Sequence, residues 1–295
     1  MRPVRCIAGT SMLVVGLAFA LSAGAQSAAP AKPAVSKAAK AAKKPAASEF
    51  KLVLEPRAMD LLKAMSAKLA AAKSMSFTAT VGYEYPSKLG PPIVYTTRYD
   101  VTMQRPDKLR IVMPGDGPAS EFYYDGKQMM AYAPVENLVA VVDAPPTIDA
   151  ALAAAYKSAA LFYPFTDLLV ADPYAALTNG AILAFVIGPS TVVGGTKTDM
   201  LAWANNDVFL QIWIGADDKL PRRVRATFRE DPLRLRHEME LSNWQLDGTI
   251  APDAFTSTKA QAAGRMAFAA PAPPPKGVKP LAIGKSTPAK PAKAN

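Results

Sequence analysis

The stretch SFTATVGYEY (76–85), followed across PSKLGPP (86–92) by IVYTTRYDVTM (93–103), decides the fold. Phe77, Ala79, Val81, Tyr83 and Tyr85 alternate with small or polar residues, and Ile93, Tyr95, Thr97, Tyr99, Val101 and Met103 repeat the alternation. A side-chain period of two places each set on one face of an extended chain, so the stretch predicts two antiparallel strands joined by a Pro/Gly turn. Upstream the period lengthens. Pro56 suits a first helical position, and Met59, Leu62, Met65 or Ser66, Leu69 and Ala72 recur every three to four residues, with Lys63, Lys68 and Lys73 off the stripe. This predicts one amphipathic helix before the strands.

Downstream, short strands are expected over 108–113, 121–124, 128–132 and 137–142, with turns at 114–117 and at Asp125-Gly126. Thr147 caps an expected helix through Tyr156, and 164–169 with 173–177 suggest one or two more short helices. Strands then resume over 181–187, 197–204, 208–214, 221–228 and 233–241. The expected fold class is mainly β with α: an antiparallel half-open β-barrel of about ten or eleven strands, covered by an N-terminal helix and a short helical insertion.

The N-terminus sets the compartment. Arg2 and Arg5 precede the apolar run 7–21 and the small residues Ala23, Gly24 and Ala25, the pattern of a cleaved secretory signal peptide. The run is shorter than the roughly 20 apolar residues of a membrane span. The expected organisation is a signal peptide at 1–25, a disordered Ala/Pro/Lys linker at 26–49, the β domain at 50–270 and a disordered Pro/Lys tail at 271–295, with a periplasmic location. Cys6 is the sole cysteine and lies in the leader, so the exported chain is expected to hold its core without disulfides or thiolate chemistry.

Charge follows the same division. Lys32, Lys37, Lys40, Lys43 and Lys44 stand in the linker and Lys276, Lys279, Lys285, Lys290 and Lys293 in the tail. Removing these ten, with Arg2 and Arg5, takes the formal charge from +10 to −2, so the basicity is not that of the domain. Nucleic-acid binding is therefore not expected, because it needs a basic folded face. Lys-rich segments suit weak contact with an anionic membrane or envelope polymer, or a solubilising spacer, and composition does not separate the two.

No reactive constellation is legible. His237 is the only histidine and shares the apolar phase of Leu233, Leu235, Met239 and Leu241, which reads as a packed residue. Asp217-Asp218 reads as turn chemistry, and the sequence carries neither Gly-x-Ser-x-Gly nor a phosphate loop nor metal-ligand spacing. The expectation is a protein that is not an enzyme and that takes no metal or other cofactor. Arg223, Arg225 and Arg229 fall on one strand face, opposite Val224, Ala226 and Phe228. They suit a basic stripe for a partner's acidic surface or a lipid headgroup, or cross-strand pairing with Glu238 and Glu240.

The succession Arg105-Pro106-Asp107-Lys108-Leu109-Arg110, Tyr124-Asp125-Gly126-Lys127 and Tyr132-Ala133-Pro134, with Pro252-Asp253-Ala254-Phe255-Thr256 near the end, resembles periplasmic lipoprotein carriers of the LolA type. The stretch 54–266 as a whole is similar to an uncharacterised family of predicted periplasmic proteins that shares their fold. Lys197 to Trp203 departs from that family's "C-x-H-L-A-F" pattern, so any redox or metal role of that pair is lacking here. The resemblance implies a noncovalent lipid-, acyl-chain- or lipoprotein-binding role for an apolar concavity, in a protein expected to be a monomer. The runner-up is a periplasmic protein-interaction or sensory module with a filled cavity. Candidate lining residues are Tyr83, Tyr95, Tyr99, Val101, Leu109, Ile111, Phe122, Tyr124, Trp203, Phe209 and Trp213, with a filled core as their bland alternative. In the carriers the arginine matching Arg105 is associated with hydrogen bonds that hold lid helices closed, which makes Arg105 the candidate latch.

Overall fold

Glu55 and Pro56 start the first helix, α1 (Pro56–Ala71), where the proline's missing N–H leaves no bond unmade. Its buried stripe is Ala58, Leu62, Met65, Ser66 and Leu69, which keeps the expected three-to-four spacing. Each large apolar side chain so enclosed is worth about 1.5–3 kcal/mol. The structure, a computed structural model, describes residues 52–270 apart from Asp116. The expected leader, linker and tail lie outside the described residues.

The strands form two meanders. The first runs through β1 (Ser74–Tyr85), β2 (Ile93–Gln104), β3 (Lys108–Met113), β4 (Ser120–Tyr124), β5 (Gln128–Ala133) and β6 (Leu138–Asp143). The second follows α2 (Ile148–Ala159), α3 (Thr166–Leu169) and α4 (Pro173–Thr178), and comprises β7 (Leu183–Ser190), β8 (Thr198–Ala204), β9 (Val208–Gly215), β10 (Pro221–Phe228) and β11 (Arg236–Leu246). α5 (Thr258–Ala262) and β12 (Gly264–Met266) complete the chain's described part. One twelve-stranded sheet results, in the order β12-β6-β5-β4-β3-β2-β1-β11-β10-β9-β8-β7. The two edges do not pair with each other, so the sheet is an open half-barrel, with α1 to α4 over one face.

Three expectations need correction. β12 is an unforeseen strand, and it pairs parallel with β6. β11 begins at Arg236 rather than at Leu233, because the Asp231 carboxylate accepts the N–H groups of Leu233 (3.0 Å) and Leu235 (2.7 Å) and closes a turn there. Arg229 therefore stands beyond the end of β10, off the strand that was to carry it. Two local expectations hold: Thr147 caps α2 by accepting the Ala150 N–H at 3.3 Å, and Asp125-Gly126 turns β4 into β5. At Gly126 φ is +92°, and a Cβ would stand 2.5 Å from Asp107 Oδ2, so glycine is required.

Residues directly opposite across the ladders share a face. Met75, Phe77, Ala79, Val81 and Tyr83 of β1 line up with Met103, Val101, Tyr99, Thr97 and Tyr95 of β2, and Val101 and Met103 with Ile111 and Leu109 of β3. The helices pack on this inner face and make the main core, joined by Leu201, Trp203 and Ile212. A second, smaller core lies on the outer face, where Tyr123, Met130, Tyr132 and Val139 meet Ala260 and Ala263.

Candidate binding face

The helical cover is fastened at one end of the inner face. Phe165 stands edge-on to Phe77 at 5.6 Å and to Tyr99 at 5.4 Å, while Tyr163 meets Tyr99 at 6.2 Å and Phe122 at 5.9 Å. Burial pushes the Tyr163 phenol up, with Tyr99 adding to the shift. Beneath this segment Val101, Leu109, Ile111, Phe122 and Tyr124 are at most 2% exposed. They are packed against the cover rather than lining a void.

Arg105 sits where the cover is tied down. Its Nη1 donates to Leu169 O (3.0 Å) and its Nη2 to Val170 O (3.0 Å), with a longer reach to Leu69 O (3.5 Å). A planar fork thus spans carbonyls at the C-terminal ends of α1 and α3, which lack intrahelical partners. The main chain of the same turn adds Arg105 N–H to Lys73 O and Ile148 N–H to Pro106 O. Burial pulls the guanidinium's pKa down, and the charge of Asp149 acts against that shift.

The other end of the inner face is uncovered. Tyr83 is 37% exposed, Tyr85 57%, Ile93 50%, Tyr95 48% and Phe228 44%. Their rings form a row across four strands: Tyr95 and Tyr83 stack at 5.7 Å, Tyr83 and His237 at 6.4 Å, and His237 meets Phe228 edge-on at 5.2 Å. We call this row the aromatic shelf. His237 is half-buried within it, not enclosed as its apolar phase suggests, because no helix reaches this end of β11.

The eleven candidate lining residues thus divide. Tyr83 and Tyr95 lie on the shelf, Tyr99 at the border of the cover, and Val101, Leu109, Ile111, Phe122, Tyr124 and Trp203 beneath it. Phe209 and Trp213 are parted from all of these, since their partners across the ladder, Ala204 and Met200, share the outer face. Tyr85, Ile93, Phe228 and His237 are shelf residues that no lining expectation included. The first two continue the quoted alternation, which was the signal available for them.

The arginines are engaged across strands. Arg223 meets Glu238 at 2.6 Å and Glu240 at 3.7 Å, and lies over the Trp213 ring at 5.7 Å; Arg225 meets Glu238 at 3.7 Å. Arg236 donates its N–H (2.9 Å) and Nε (2.7 Å) to the Glu84 carboxylate. These bonds hold the Glu84 carboxyl below its usual range. Such a depressed group adds stability above its unfolded pKa, and that stability is lost as pH falls through the folded value. Glu84→Gln is therefore expected to lower the urea midpoint at pH 7 and to shrink the acid-side fall between about pH 5 and pH 3, read by denaturation series at each pH.

Two clefts open at the rims of the sheet. One of about 500 Å³ is lined by Ala70 to Ser74, Gln104, Arg105, Asp247 and Gly248. The other, about 450 Å³, lies between the β1–β2 and β10–β11 turns, beside Glu84, Pro86, Leu233 and Arg236. No helix among the described residues is long and apolar enough to cross a membrane.

Among solved structures, the chain is similar to the MucA/MucB complex of Pseudomonas aeruginosa, at 16% identity over 69% of this chain and 62% of the matched one, with a TM-score of 0.40. It is similar to LprF from Mycobacterium bovis at 16% identity, over 67% of this chain and 97% of that one, TM-score 0.40. A LolA superfamily protein from Nitrosomonas europaea matches at 9% identity, over 66% and 97%, TM-score 0.32. No curated protein matches the chain. Residues 58–269 match the family described as "Predicted periplasmic protein (DUF2092)", and the chain belongs to that periplasmic family.

Proposed function

We propose that this protein is a non-catalytic periplasmic binding protein that holds the apolar part of a lipid, acyl chain or lipoprotein, in the service of transport within the cell envelope. The observation that carries the reading is the aromatic shelf: a ring row on the inner face, continuous with the core, that the helices leave uncovered. Shielding matters for such cargo. Each methylene kept from water is worth about 0.8 kcal/mol, so a C16 chain exposed to the periplasm costs on the order of 10 kcal/mol. Release of the α1 and α3 ends at Arg105 would lengthen the shelf toward Tyr99 and Phe122. The Lys-rich segments 26–49 and 271–295 flank the domain in this reading and hold it loosely at an anionic envelope surface.

The packing beneath the cover favours a second reading, a protein-interaction or sensory module with a filled interior. Native mass spectrometry with organic extraction, on protein purified from its own envelope without detergent, separates the two. The first reading expects a stoichiometric acyl-bearing species, lost when Tyr83→Asp and Tyr95→Asp charge the shelf. A clean apo mass, with no uptake of added fatty acid or phospholipid, would sink it in favour of the second.

A further inference from the structure

His237 is the one titratable base in the ring row; the nearest cation at this end is Arg234, in the turn before β11, whose guanidinium reaches Phe228 O at 3.5 Å. The ladders place Tyr83 opposite His237 and Tyr95 opposite Tyr83, with Ala226 opposite His237 on the other side. Every charged side chain of these strands near that level is on the alternate phase: Glu84 on β1, Arg98 on β2, Arg225 on β10, and Arg236 and Glu238 on β11. Those charges pair among themselves on the outer face, Arg236 with Glu84 and Arg225 with Glu238.

On the same face as His237 are Val81, Tyr83 and Tyr85 of β1, Ala226 and Phe228 of β10, and Met239 of β11. Histidine is the side-chain type whose ordinary charge change falls in the physiological range, and its neighbours in this group are tyrosines and apolar residues. Among the described residues, no carboxylate shares the inner-face phase of β1, β2, β10 or β11 at this level.

We propose that the shelf takes an uncharged, apolar stretch of its ligand, and that protonation of His237 weakens its hold, so that cargo is bound at neutral pH and shed in acid. This rests on the shelf being the binding surface. A hydrocarbon lying across the row removes the imidazole from water, which disfavours its charged form. By linkage, protons and ligand then exclude each other: affinity is full when the imidazole is neutral and falls as pH drops through the imidazole range. Each pH unit by which cover moves that titration corresponds to tenfold in affinity. Tyr83 and Phe228, which lie at 6.4 and 5.2 Å from the imidazole ring, are also the rings a ligand would touch, so the charge arrives at the contact surface itself.

The test is a fluorescence titration of the full chain with N-phenyl-1-naphthylamine, an uncharged apolar probe, from about pH 8 to about pH 5.5. Circular dichroism at each pH confirms that the fold is constant. The dissociation constant of the wild type is expected to rise on the order of tenfold across the range, and His237→Gln and His237→Phe are both expected to lose that slope. A flat wild-type profile, or variants that keep its slope, would overturn the inference and leave the shelf as a binding surface. Absence of probe binding at pH 8 would remove the shelf reading, and this inference with it.

Discussion

Phe165→Ala is expected to cost about 3–5 kcal/mol, the range for deleting a fully enclosed phenyl ring. Phe165 is 0% exposed and is held by Phe77, Tyr99 and Tyr163 together, with Tyr163 stacked on it at 5.8 Å. The segment between α2 and α3 has no ladder to bind it to the sheet, so this ring and its neighbours do that work. For a domain near 220 residues the loss lowers the melting temperature by about 10 °C. Alkaline spectrophotometric titration gives a local reading of the same event. Tyr163, whose phenol burial pushes up, should return toward ordinary phenol behaviour once the clasp opens. Phe162→Ala is the control: its side chain is 67% exposed, and the change should stay within about 0.5 kcal/mol. An equal loss in both variants would mean that the clasp does not fasten the cover.

Arg105→Ala is expected to cost about 2–3 kcal/mol, less than the sum of its charge-assisted bonds because the guanidinium is only half-buried. The consequence is local before it is global. Leu169, Val170 and Leu69 lose a shared donor at two helix ends, so amide hydrogen exchange should quicken in the last turn of α1 and in α3, ahead of β1 and β2. Arg105→Lys keeps the charge but offers one ammonium where a fork reached separate carbonyls, and should recover less than half of the loss. Uptake of an apolar probe should rise in Arg105→Ala, because the rings under the cover become reachable. Unchanged exchange in α1 and α3 would show that the helices do not depend on this contact.

Much of this arrangement is legible in the chain. The quoted alternation at 76–103 specifies the central hairpin, and the turn chemistry at Asp125-Gly126 specifies the next. Pro56 and the apolar stripe after it specify α1. The stretch 54–266 taken as a whole carries the likeness to the periplasmic family, which matches residues 58–269. What stayed hidden depends on register. Alternation gives two faces for β9 but not which one meets Trp203; the ladder decides it by setting Leu210 opposite Trp203. Phe209 and Trp213 alternate as lining residues would, yet pairing with Ala204 and Met200 puts them on the side away from the helices. β12 carries Gly264, Arg265 and Met266, all exposed, so no apolar period marks it as a strand. The openness of the shelf was beyond reading for a different reason: it follows from where the helices stop, and a strand's own residues do not encode that.

Among the described residues the two meanders share one ladder, β1 with β11, and that seam is closed by residues such as Lys73 and Asp247, 174 positions apart in the chain. Bringing such distant segments together costs loop entropy that nothing local offsets, and contacts of this kind slow folding. Each meander can zip from its own hairpins, yet neither encloses its core until the last long strand arrives. In a chain that folds from its N-terminus, β1 waits with one edge vacant until nearly the whole domain is available. The seam therefore sets the order of assembly: the sheet is completed late, when β11 pairs with β1.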